Sequence, residues 1–276
     1  MRLSVDAVRP QLRQVGGQLV VADSSGLAAP EWATGDDAIW MSIPAATPYE
    51  LRQAGYARAG GDIVAVTEDH CAAAPDWLTN VLAEHERLPD AAAIFGVVEN
   101  GSQKHMIDWA LYGVGYITAA PPAPNPDSHP SHANLSFKAH VLREVAATED
   151  AVLEFRYLER LRNSGYEVIA SDKPRVTHVQ STGVATTSSL FFHNGRYIAA
   201  TRRQRMGRMD WLRAFAPGLL AGYRTMRTLQ IARSKPSLTA VMYRSAPYIA
   251  MLHVLHATGE SIGYLTGPGD SPRHLH

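Results

Sequence analysis

The chain has 276 residues, 46% of them hydrophobic and 19% charged, with a formal net charge of zero. That is enough apolar material for one large domain or two small ones, and it excludes a disordered chain. Cys71 is the single cysteine, so no internal disulfide exists, which fits a reducing compartment. The opening MRLSVDAVRPQLRQ lacks the apolar core of a signal peptide, and no run reaches the roughly 18–20 apolar residues of a membrane span.

In chain order, residues 1–14 pattern as an amphipathic helix and 19–22 (LVVA) as a strand closed by the turn cluster Asp23-Ser24-Ser25-Gly26. Residues 39–43 form a second expected strand, and 48–58 a helix with proline in its first turn. The apolar run 63–67 is a third strand. Residues 75–86 follow as a helix with Trp77, Leu78, Val81 and Leu82 on one face. The stretch 91–98 is the next strand. Strands alternating with helices at this spacing predict an α/β fold with a mostly parallel sheet and helices on both faces. After an aromatic-rich helix at 106–117, the proline-rich 119–130 cannot be regular. Then come an extended 133–138, a short helix at 140–145 and a helix at 152–164 stopped by Gly165, with strands at 166–170 and 175–179. Beyond residue 188 only helices are expected, which sets a division into residues 1–190 and 191–276.

Neutral net charge conceals an asymmetry. Between Arg196 and Arg244 the chain carries many arginines and Lys235, with Asp210 the single acid. Trp211, Phe215, Leu219, Tyr223 and Met226 are interleaved with them at helical spacing. A basic stretch of this kind reads as an interfacial helix at an anionic membrane surface, with ordinary packing as the alternative. No nucleic-acid motif accompanies the charge, so no nucleic-acid partner is expected.

Chemistry concentrates in GGDIVAVTEDH, residues 60–70. Glu68, Asp69 and His70 follow a short apolar strand, and in open α/β sheets ligands bind beyond the carboxyl ends of strands. Acids at such a turn also cap helices. Imidazole beside carboxylate favours manganese or zinc over magnesium.

Four segments in order give the chain a resemblance to the family 2 glycosyltransferases, whose catalytic domain has the GT-A fold: VVADSSG (20–26), GGDIVAVTEDHCAAAPDWL (60–78), HANLSFKAHVL (132–142) and LEFRYLERLRNSGYEV (153–168) followed by RVTH (175–178). The resemblance implies an inverting transfer of sugar from a nucleotide-sugar donor to a glycan or lipid-linked acceptor. A divalent metal, Mn2+ or Mg2+, would assist departure of the nucleoside diphosphate, at the cytoplasmic membrane surface. It implies Asp23, Asp69 and Glu68 for the donor, and Asp69, His70 and His178 for the metal. Glu154 would be the catalytic base, and Trp109, Tyr112 and Asn134 the acceptor side. The family shows Asp-x-Asp where this chain has Glu-Asp-His. Family members open on a strand reading roughly SVVIPTYN, whereas this sequence begins at the helix after it, so the resemblance implies either a start that falls too late or a sheet lacking that first strand. Two other readings stay open: a non-catalytic membrane-surface binding module on the same fold, and a nucleotidyltransferase.

Overall fold

A computed structural model describes residues 1–128, 130–146, 154–203 and 206–275. The chain divides into two units, one made of residues 1–101 and 118–179, the other of 102–117 and 180–276. The division expected near residue 190 therefore falls at Gln180, and the aromatic-rich helix from mid-chain joins the second unit.

The first unit is α/β. Its elements are helix α1 (Arg2–Val15), strands β1 (Leu19–Asp23) and β2 (Ala38–Ser42), helix α2 (Pro48–Arg58), strands β3 (Ile63–Val66) and β4 (Cys71–Ala73), helix α3 (Trp77–Arg87) and strand β5 (Ala91–Asn100). After the second unit's helix α4 (Met106–Tyr116) come β6 (Leu135–Lys138), α5 (Ala139–Ala146), α6 (Glu154–Asn163) and β7 (Glu167–His178). Local chemistry sets several boundaries. Thr47 and Glu50 form a reciprocal capping box before Pro48 on α2, and Gly16 ends α1 in the left-handed region, with φ 64°.

The main sheet is mixed rather than mostly parallel. Its strand order is β3-β6-β5-β7-β4, and β5–β7 is its one parallel pairing, the other three being antiparallel. The segments expected as two strands at 166–170 and 175–179 merge into β7, where residues 171–174 slip out of register opposite Gly96. Central β5 is buried through its first eight residues, AAAIFGVV, as a strand covered on both faces must be. Alternation along β6 shows what covers each side. Leu135 and Phe137 join a core with Tyr56, Phe95, Leu158 and Leu161, while Asn134 and Ser136 meet Trp77 and His85 of α3 on the opposite face. Helices on both faces follow.

Strands β1 and β2 pair in parallel as a separate two-stranded sheet. Among the described residues, β1 has no second partner strand, and β3 is the edge of the five-stranded sheet. Residues of both strands line one cavity of about 530 Å3 together with α1, α2 and α3, and its lining includes Thr67, Glu68 and Asp69.

The second unit is helical: α4, α7 (Gly183–Arg202), α8 (Arg208–Phe215), α9 (Pro217–Arg233), α10 (Pro236–Arg244) and α11 (Ala246–Thr266). Glycines let α7 and α11 approach backbone to backbone: a Cβ on Gly195 would strike the His256 carbonyl, and one on Gly259 the Phe192 carbonyl. No helix among the described residues is long and apolar enough to cross a membrane.

A candidate metal centre

The turn after β3 is held from outside the sheet. Ser4 of α1 donates its hydroxyl to the carbonyl oxygens of Glu68 (2.8 Å) and Cys71 (2.5 Å), and Cys71 N–H closes the turn onto the Glu68 carbonyl at 3.0 Å. Two antiparallel pairings then deliver imidazoles to it. Cys71 is in register with His178, and Val179 N–H donates to the His70 carbonyl, so the end of β7 lies beside His70. On the other side Val66 is in register with Leu135, and Thr67 Oγ1 donates to the Ala133 carbonyl at 2.9 Å. The residues just before β6 therefore reach the residues just after β3.

Four side chains converge as a result. His70 Nε2 lies 2.9 Å from His178 Nε2 and 3.2 Å from Glu68 Oε2. His132 Nε2 lies 2.7 Å from Glu68 Oε1, and His178 Nε2 is 3.9 Å from Glu68 Oε2. Asp69 is 60% exposed and does not enter the cluster's centre; its Oδ1 accepts from His70 Nδ1 at 2.8 Å and fixes the ring. Cys71 Sγ stands 3.9 Å from Glu68 Oε2, and burial together with the Glu68 charge pushes its thiol pKa up, away from thiolate character.

Opposed protonation states follow from this packing. Burial alone would raise the Glu68 carboxyl, yet His132 and His70 outweigh it and hold Glu68 well below the usual carboxylate range. Burial would lower His70, but hydrogen bonds to Asp69 and Glu68 win and raise it to about 9. Burial pushes His178 down to about 4, with Glu68 opposing and His70 assisting. At neutral pH the His70 imidazolium thus holds its Nε2 proton between Glu68 Oε2 and a neutral His178 Nε2. A proton occupies the point where a cation would be shared.

The donor set can be tested against the metals that the resemblance implies. Glu68 gives a carboxylate oxygen and His70 and His178 each an imidazole nitrogen, with His132 on the far carboxylate oxygen. Nitrogen-rich sets of this kind suit manganese, zinc or cobalt, whereas magnesium requires oxygen ligands. The fit is therefore to a borderline divalent cation, which Glu68, His70 and His178 would hold. Asp69 stands where the carboxylate partner of a ligating histidine stands.

The other expected site residues are placed as follows. Asp23 is buried at the end of β1, and its Oδ2 accepts from Ser25 N–H (3.0 Å) and Ser25 Oγ (2.5 Å), which closes the turn cluster. Asn134 does not face an acceptor. It is 2% exposed, its Oδ1 accepting from Trp77 Nε1 at 2.8 Å and its Nδ2 donating to the carbonyls of Val97 and Pro174. These bonds tie α3, β5, β6 and the β7 irregularity together. Trp109 and Tyr112 lie on α4 in the helical unit, edge to face at 6.3 Å. Tyr112 is buried and stacked on Tyr116, a packing position. Glu154 is the first residue of α6; its side chain lies outside the described residues. His132 is the residue that sequence reasoning passed over, although it opens the quoted segment HANLSFKAHVL.

The chain matches no protein-family model, and a search of curated proteins returns no match either.

Proposed function

We propose that the first unit is a metal-assisted glycosyltransferase that uses a nucleotide-sugar donor and a glycan or lipid-linked acceptor. The observation that supports it best is the convergence of His70 and His178 on Glu68, which lines the cavity shared by β1 and β3. Bound there, a divalent cation would act as a Lewis acid on a departing diphosphate. The chain's own residues perform the rest. Glu68 and His178 supply ligand atoms, Asp69 holds His70 in the tautomer that turns Nε2 inward, and the β1 end, with its Asp23 turn, presents the donor side. Glu154, at the N-terminal end of α6, is the carboxylate assigned to deprotonate the acceptor hydroxyl.

Calorimetry with UDP-glucose and GDP-glucose, with and without Mn2+, tests the reading. Metal-dependent binding that disappears in His178→Ala and Glu68→Gln is expected, and Glu154→Gln should lose turnover while keeping donor affinity. Donor binding absent under all conditions refutes it.

A second reading is favoured by the donor count. With His132 counted beside Glu68, His70 and His178, four protein donors gather, the number of a closed structural site, whereas an open catalytic site keeps three. On that reading the unit is a non-catalytic binding module, and Glu154→Gln changes nothing measurable.

A further inference from the structure

The second unit carries a surface that the transfer chemistry does not use. Five large apolar side chains within sixteen residues are exposed: Trp211 (53%) and Phe215 (64%) on α8, and Leu219 (76%), Tyr223 (58%) and Met226 (61%) on α9. The Trp211 and Phe215 rings stack in parallel, with centroids 5.5 Å apart and planes at 3°. On α9, positions 219, 223, 226, 230 and 233 fall within about 80° of arc at 100° per residue. The stripe therefore runs from Leu219, Tyr223 and Met226 through Gln230 to the exposed Arg233. Arg227, also exposed, flanks it and donates to the Tyr223 hydroxyl at 3.3 Å.

Charge on this face has one sign. Asp210 is the single acid between Ser188 and Ala246, and its carboxylate is taken by Arg213 Nη1 (2.7 Å), the Tyr264 hydroxyl (2.7 Å) and Gly207 N–H (2.9 Å). Exposed aromatic and aliphatic groups beside uncompensated guanidinium groups are the composition of a helix that lies in a bilayer interface. The rings and Leu219 would sit at the acyl boundary and the arginines among anionic headgroups. We propose that the outer face of α8 and α9 is a docking surface for an anionic lipid bilayer. The inference stands apart from the transfer reading, because none of its residues belongs to the metal centre.

Co-sedimentation of the full chain with vesicles of phosphatidylcholine containing about one-third phosphatidylglycerol, against pure phosphatidylcholine, tests it. At least tenfold stronger partitioning onto the anionic vesicles is expected, weakening as salt rises from about 0.1 to about 0.5 M. Phe215→Ser with Leu219→Ser should reduce binding at least tenfold with unchanged circular dichroism, while Leu27→Ser, an equally exposed site in the other unit, leaves it unchanged. Arg227→Glu with Arg233→Glu should abolish the anionic preference. Binding that is equal on both vesicles, indifferent to salt or untouched by Phe215→Ser/Leu219→Ser overturns the proposal. So does sedimentation equilibrium that shows a dimer, broken by the same double variant, with no vesicle binding.

Discussion

His70 makes the energetics of the candidate metal centre measurable without a ligand. Its folded pKa of about 9 lies above the ordinary 6.5, so protonation favours the folded state. That stabilisation is complete below pH 6.5 and is lost as pH rises through 9. The full contribution is about 3 kcal/mol, of which about 2 kcal/mol disappears between pH 6 and pH 8. His85, His178 and His253 are displaced downward to about 4 by burial, so they raise stability as pH climbs through about 6.5, a background that comparison with a His70 variant removes. Cys71, Tyr166 and Tyr264, all raised, act only as pH approaches 9 and beyond. Urea unfolding in the presence of a chelator, at half-unit steps from pH 6 to 9, gives the profile for the wild type and for His70→Gln. The wild type should lead the variant at pH 6, and the gap should shrink by about 2 kcal/mol by pH 8. A gap that stays constant across this range would falsify the assignment of the shared proton to His70.

Cation binding should follow from the same proton. His70 must release it to ligate, so affinity for Mn2+ or Zn2+ should climb by up to about tenfold per pH unit between 6.5 and 9. Calorimetry in buffers of different ionisation enthalpy should count about one proton released at pH 7, and zero release would mean that His70 is not a ligand. Asn134→Ala strands the Trp77 N–H and two buried carbonyls and should cost about 3–5 kcal/mol, read as a lowered melting temperature; a neutral result would disprove its role as a hub. Two glycines of the helical unit should respond with opposite signs. Gly259→Ala drives a methyl into the rigid backbone of α7 and should cost about 3 kcal/mol or more. Gly222→Ala, in open space on α9, should stabilise by about 0.5–1 kcal/mol. Thermal unfolding of both variants decides it, and equal shifts would refute the close-packing argument.

Most element boundaries were legible because local chemistry sets them. The capping box and Pro48 fix the start of α2, the glycine after α1 fixes its end, and the unbroken apolar run of β5 marks a strand buried on both faces. Strand direction is not a local property. Alternation of strands with helices predicts parallel pairing, yet β6 follows a long proline-rich connection that leaves its entry direction free. It inserts antiparallel between β3 and β5. Nor could the helical stripe of α4 show which unit would bury it: Gly113 lies against Met242 and Ile249 of α10 and α11, far along the chain.

The same reversal explains the site. In a sheet of parallel strands, functional residues gather at carboxyl ends, which points to the end of β3, and the resemblance adds His178 at the end of β7. Glu68, His70 and His178 come from those ends, and the structure brings them together. An antiparallel β6 contributes from its amino end instead, where no such rule directs attention, and His132 enters from there. The resemblance puts Asp69 ahead of Glu68, but successive residues after a strand project to different sides. Ser4 and Cys71 fix the turn so that Glu68 points in and Asp69 out. A charge placed one residue earlier than the Asp-x-Asp pattern anticipates is therefore the one in the cluster, and its neighbour orients the histidine instead. Exchange of the two roles sets a direct comparison: Glu68→Gln should abolish cation binding, whereas Asp69→Asn should weaken it by about 10–100-fold, as loss of a histidine's supporting carboxylate does.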